Sequence, residues 1–107
     1  MNDRQETLLQ QLQERAAEFV SLNSNRTSLI TVTRAEMSDK NEKVTFYVSV
    51  FPEDAEGPAI GFLMRKRGEC KQYIKEKSRI QRVPHVEFKI DDGEKNRQKV
   101  DELLSDK

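Results

Sequence analysis

From residue 44 to residue 50, Val44, Phe46, Val48 and Val50 alternate with Thr45, Tyr47 and Ser49. Side chains of a strand point to opposite faces in turn, so this strict period of two specifies a strand with one buried face. Upstream, Leu29-Ile30-Thr31-Val32-Thr33-Arg34-Ala35 is rich in β-branched residues and predicts a second strand. Ser38-Asp39-Lys40-Asn41 lies between them and supplies turn chemistry, so the two runs read as an antiparallel hairpin. Pro52 offers no donor to a ladder and closes the second strand.

Helices flank this hairpin. Leu8, Leu9, Leu12, Ala16, Phe19 and Val20 recur at spacings of three and four, which predicts an amphipathic first helix. Asp3 and Glu6 resemble its capping box, and Asn23-Ser24-Asn25 ends it. Gly57-Pro58-Ala59 fits the start of another helix, since proline is tolerated in a first turn. Its apolar face is Ile60, Leu63 and Met64. Gly68 interrupts that helix and predicts a kink. A further helical stretch then turns Cys70, Tyr73 and Ile74 inward and Lys71, Lys75 and Lys77 outward.

Val86, Phe88 and Ile90 alternate with Glu87 and Lys89 as a third strand. Asp91 and Asp92 read as caps of a last short helix, whose apolar side is Val100, Leu103 and Leu104. The order is α-β-β-α-kink-α-β-α. It predicts a single α+β domain over residues 1–107, with a three-stranded sheet packed on helices. Two consecutive helices at a tight glycine junction are what a type II KH domain displays.

Charged residues make up 36% of the chain and hydrophobic ones 35%, so the core must be small. No run approaches the roughly 20 apolar residues of a membrane helix, and the first ten residues lack the pattern of a secretory signal. A soluble cytoplasmic protein is the expectation. One Cys and one His make neither an internal disulfide nor an ordinary zinc site, so no metal or cofactor is expected.

Net charge is zero but unevenly spread. Residues 1–60 hold six basic and ten acidic side chains, whereas residues 61–82 hold eight basic and two acidic, a net of +6. The eight are Arg65, Lys66, Arg67, Lys71, Lys75, Lys77, Arg79 and Arg82. A solvated helix face is the ordinary meaning of a charge run. Here the run brackets a predicted kink in a chain of zero net charge, which favours an anion-binding surface.

Catalytic readings fare poorly. His85 follows Pro84 at a strand start and reads as a surface or structural histidine. Cys70 has basic neighbours that could activate a thiol, but its place on an apolar face predicts a buried, inert one. Gly57 and Gly61 are too isolated for a nucleotide loop, and no Walker sequence is present. The expectation is a protein that is not an enzyme and takes no small-molecule substrate.

The fragment SLITVTRAEMSDKNEKVTFYVSV, residues 28–50, resembles the first hairpin of ribosome-binding factor A proteins. RIQRVPHVEFKIDDGEKNRQKVDELL, residues 79–104, resembles their closing strand and terminal helix. That family replaces the KH Gly-x-x-Gly loop with an Ala-x-Gly kink. Without gaps, Lys66-Arg67-Gly68 falls over the kink, with Lys66 in place of alanine. Ala59-Ile60-Gly61 matches the motif literally but would leave almost no first central helix. The first helix departs from the family, and its usual basic start is missing.

The resemblance implies a monomer that binds the small ribosomal subunit and its ribosomal RNA late in maturation. RNA would be held by Arg65, Lys66, Arg67, Gly68, Lys71, Lys75, Lys77, Arg79 and Arg82, mainly through phosphate. Two rivals stand beside it: a protein-interaction module on the same fold, and a KH-type binder of non-ribosomal RNA. Salt dependence separates the first from RNA binding, and target identification separates the second.

Overall fold

A computed structural model describes residues 3–24 and 28–93, with side chains from residue 7 onward. Helix α1 (Asp3–Asn23) is followed by strands β1 (Leu29–Met37) and β2 (Lys43–Phe51). A short 3-10 turn (Glu53–Ala55) leads into α2 (Glu56–Arg65), α3 (Arg67–Lys77) and β3 (His85–Ile90). The side chains of the predicted capping box of α1 lie outside what is described; of the predicted final helix, residues 92 and 93 are described and helical, and the rest lies outside.

The hairpin forms as expected, with Leu29 opposite Phe51 and Met37 opposite Val44. β1 runs two residues beyond the predicted strand. β3 joins the other edge of β2 in parallel, Val44 beside Val86 and Phe46 beside Phe88. A parallel neighbour requires a long crossover, and α2 and α3 supply it. The sheet order is therefore β1-β2-β3.

The alternation of β2 explains where the core sits. Val44, Phe46 and Val48 are fully buried on one face, and Val86 and Phe88 of β3 extend that face. Leu12, Ala16, Phe19 and Val20 of α1, Ala59 and Leu63 of α2, and Cys70 and Ile74 of α3 close over it in one cluster. All three helices thus share one side of the sheet. Thr31, Arg34, Glu36, Tyr47 and Lys89 stand on the other. Asn23 ends α1 by donating its side-chain amide to the Phe19 carbonyl at 2.8 Å. Tyr73, predicted to face inward, is half-buried: its ring lies 5.8 Å from that of Phe19 and its hydroxyl donates to Glu18 at 2.9 Å.

The junction of α2 and α3 corrects one expectation. The backbone leaves helical geometry at Lys66, with φ −97° and ψ 5°, rather than at Gly68. Gly68 is the second residue of α3, and no described glycine has positive φ. The kink still lies within Lys66-Arg67-Gly68. Ala59-Ile60-Gly61 is uninterrupted helix inside α2.

Asp91 stands directly before helical residues 92–93, where the sequence reading puts a cap, and it also makes a long-range contact. β1 bulges between Val32 and Arg34, leaving Thr33 unpaired. The Thr33 hydroxyl lies 2.5 Å from Asp91 Oδ2 and 3.2 Å from the Tyr47 carbonyl. Arg34 Nε sits 3.7 Å from the same carboxylate. A bulge re-aims a side chain, and here it ties the end of β3 across β2 to β1.

Candidate nucleic-acid interface

The α2–α3 junction places the start of a helix, with its first-turn amides, beside the end of another. The first turn of any helix has amides without intrahelical acceptors, normally satisfied by a capping side chain. Lys66 occupies the cap position of α3 and makes no side-chain cap bond. The Cys70 amide donates to the Lys66 carbonyl at 2.9 Å and closes the first turn of α3. The amides of Arg67, Gly68 and Glu69 thus precede the ladder. A methyl group at Gly68 would meet no atom within 4 Å, so that position opens on space. First-turn amides, the positive end of a helix dipole and an absent side chain together suit an anion.

Cations surround this opening. A hollow of about 560 Å³ is lined by Met64, Arg65, Arg67, Gly68, Lys71, His85 and Val86. Arg67 donates from Nη1 to the Met64 carbonyl at 2.9 Å, which ends α2 and fixes the guanidinium stem at the junction. Arg65 and Lys71 have no carboxylate within ion-pair distance among the described residues. An unpaired cation keeps its full attraction for phosphate.

The nine residues expected from the sequence divide. Arg65, Arg67, Gly68 and Lys71 line the junction hollow, and Arg82 lines an adjoining one with Lys71. Lys66 turns away to Glu69, 3.3 Å distant, with its ammonium 5.8 Å from the Phe62 ring centroid. Lys77 sits 5.9 Å from the Tyr73 ring centroid, and neither hollow includes Lys75, Lys77 or Arg79. His85 lines both hollows, and Lys40 of the β1–β2 turn lines the second. Neither was expected at the site. They reach it because β3 lies parallel to β2, which sets His85 beside Lys43 just past that turn.

No described Phe or Tyr lines either hollow. Tyr73 is engaged by Phe19 and Glu18. Tyr47 has the Arg34 guanidinium 3.8 Å over its ring, and its hydroxyl donates to Glu36 at 3.1 Å. Desolvation, with help from that bond, raises the Tyr47 phenol above its ordinary value. Cys70 is fully buried, and burial pushes its thiol up to about 12, so it is no nucleophile near neutral pH. Among the described residues no cluster of His, Cys, Asp or Glu could hold a metal, and no helix is long and apolar enough to cross a membrane.

A mixed three-stranded sheet with helices on one face, and two helices meeting at a cationic junction, defines a type II KH-like domain. The protein-family model described as ribosome-binding factor A matches residues 4–104. The chain belongs to the ribosome-binding factor A family. A ribosome-binding factor A from Fervidobacterium nodosum is 30% identical over 78 residues, 72% of this chain. That segment spans 62% of the relative's own length, a little under two-thirds.

The crystal structure of ribosome-binding factor A from Thermus thermophilus superposes with a TM-score of 0.71 at 26% identity, covering 79% of this chain and 92% of that one. A Thermus thermophilus homology model fitted to a cryo-EM map of a complex with the 30S subunit gives 0.67 at 27% identity, over 76% and 88% of the two chains. A Thermotoga maritima protein solved by solution NMR gives 0.66 at 22% identity, over 82% and 87%, a likeness of fold alone.

Proposed function

We propose that this protein binds RNA of the small ribosomal subunit during its maturation, as a non-enzymatic assembly factor acting in the cytoplasm as a monomer. The observation that carries the reading is the gathering of Arg65, Arg67 and Lys71 around the uncapped, side-chain-free start of α3. Family membership and the Thermus thermophilus relative fitted to a 30S complex support the choice of ribosomal RNA over another polyanion. Binding alone would do the work: a factor with higher affinity for one RNA conformation raises that conformation's population, with no covalent step. With no described Phe or Tyr lining either hollow, recognition there rests on phosphate and backbone shape.

Sedimentation of a cell extract through a low-salt sucrose gradient tests the reading. The protein should travel with small subunits, and the Arg65→Ala/Arg67→Ala/Lys71→Ala variant should remain at the top while still folded. A native protein that never leaves the top fractions rules out the ribosomal role. Recovery with other RNA would point to a non-ribosomal binder, and a salt-insensitive protein complex to an interaction module.

A further inference from the structure

Beside the junction lies a second hollow of about 730 Å³, within the roughly 300–1,000 Å³ usual for ligand sites. Its walls come from four separate parts of the chain. Lys40, Asn41 and Glu42 are on the β1–β2 turn, Arg82 through His85 lead into β3, Lys71 is on α3 and Leu8 on α1. Lys71 and His85 line the junction hollow as well, so the two hollows adjoin.

The turn forming one bank is held in place. Ser38 Oγ accepts the amides of Glu42 and Lys43, each at 3.0 Å. The Ser38 amide donates to the Lys43 carbonyl at 2.9 Å, and Asn41 takes the left-handed region with φ 56°. Asparagine tolerates that region better than most side chains. The His85 amide donates to the Glu42 carbonyl at 3.0 Å, tying the turn to the opposite bank. Lys40 is therefore carried on a braced turn.

Three cations, Lys40, Lys71 and Arg82, face a single carboxylate, Glu42. The lining is mostly polar; its apolar part is Leu8, half-buried, with Val83 and Pro84, both buried. A cationic, mostly polar lining suits the phosphate and ribose of a nucleotide.

We propose that this hollow is a second nucleotide subsite, which takes the single-stranded RNA leaving the α2–α3 junction. The inference rests on the RNA reading given above and extends it. Lys71 is shared by both sites, Lys40 and Arg82 serve only the second, and Glu42 repels the strand there. Adjoining sites make affinity depend on RNA length. A KH-type junction clamps about four nucleotides, so a strand of that length would fill the junction alone, and one of about ten would reach both sites.

Fluorescence anisotropy with oligouridylates of about four and about ten nucleotides tests this. The native protein should bind the longer strand more tightly and with a steeper salt dependence. Lys40→Ala/Arg82→Ala should remove that advantage and flatten the long-strand salt slope by about 1.4, two contacts at about 0.7 each for single strands. The same variant should leave short-strand affinity unchanged. Glu42→Gln should strengthen only the longer strand, a gain that misfolding cannot imitate.

Equal affinity of the native protein for both lengths overturns the subsite while leaving junction binding intact. So does a Lys40→Ala/Arg82→Ala variant that weakens both strands alike. Competition by an oligoglutamate peptide as effective as RNA also overturns it, because the occupant would then be an acidic protein segment. Failure of both oligonucleotides to bind removes the junction reading and the subsite together.

Discussion

The Thr33 hydroxyl and the Asp91 carboxylate meet at 2.5 Å although 58 positions separate them in the chain. Thr33 can reach because the bulge in β1 frees it from the ladder, and Asp91 is 7% exposed where β3 ends. Thr33→Val keeps the β-branched shape and removes the hydroxyl beside a buried charge. The variant should lose about 1–3 kcal/mol. Urea denaturation checks it: the midpoint should fall while the m-value holds. A midpoint within error of the native protein would mean that the bulge does not secure the end of β3.

Gly68 gives a prediction in two directions. Its backbone is helical, and a Cβ there would meet nothing within 4 Å. Gly68→Ala should therefore raise stability by about 0.5–1 kcal/mol through helix propensity. The same methyl would stand over the first-turn amides of α3 and should weaken RNA binding severalfold. Thermal melting and an RNA titration on one preparation read both effects. Loss of stability would show that the kink needs glycine after all.

Cys70 predicts a pH effect at the alkaline end. Burial pushes its thiol from the ordinary value near 9 up to about 12. The unfolded chain gives up this proton at lower pH than the folded one. The thiol's contribution to stability is thus complete below about 9 and is lost progressively as pH rises through about 12. Cys70→Ala should show a shallower alkaline loss than the native protein. At pH 8 a thiol reagent should label the native protein only as fast as it unfolds. Rapid labelling without denaturant would contradict the buried assignment.

Much of the architecture was legible because it depends on local periodicity. The alternation of Val44, Phe46 and Val48 and the spacing of Leu12, Ala16 and Phe19 each specify a buried face without reference to the rest of the chain. The parallel pairing of β3 was not legible, since Val86, Phe88 and Ile90 alternate identically in either direction. Nor was the bulge at Thr33, which follows from a partner 58 residues away. Gly68 was credited with a kink that Lys66 makes, because φ −97° and ψ 5° lie within reach of an ordinary residue.

The site was half legible for a related reason. A charge run is contiguous in sequence, but a helix turns about 100° and rises about 1.5 Å with each residue. Lys71 is thereby directed into the hollows, while Lys75, one turn farther along, is beyond them. Lys40 and His85 join through strand pairing alone, and no linear pattern links them to Arg67.

The proposed interface depends on place and not on charge alone. Arg65→Ala/Arg67→Ala/Lys71→Ala and Lys75→Ala/Lys77→Ala/Arg79→Ala each remove three positive charges, the first set inside the junction hollow and the second outside both hollows. The measurement is equilibrium binding of each folded variant to purified small subunits over a range of salt. The junction variant should lose on the order of a hundredfold in affinity and about three phosphate contacts' worth of salt slope. The other variant should stay within about threefold of the native protein. Equal losses from the two variants would contradict the account, since binding would then follow net charge and the α2–α3 junction would hold no RNA.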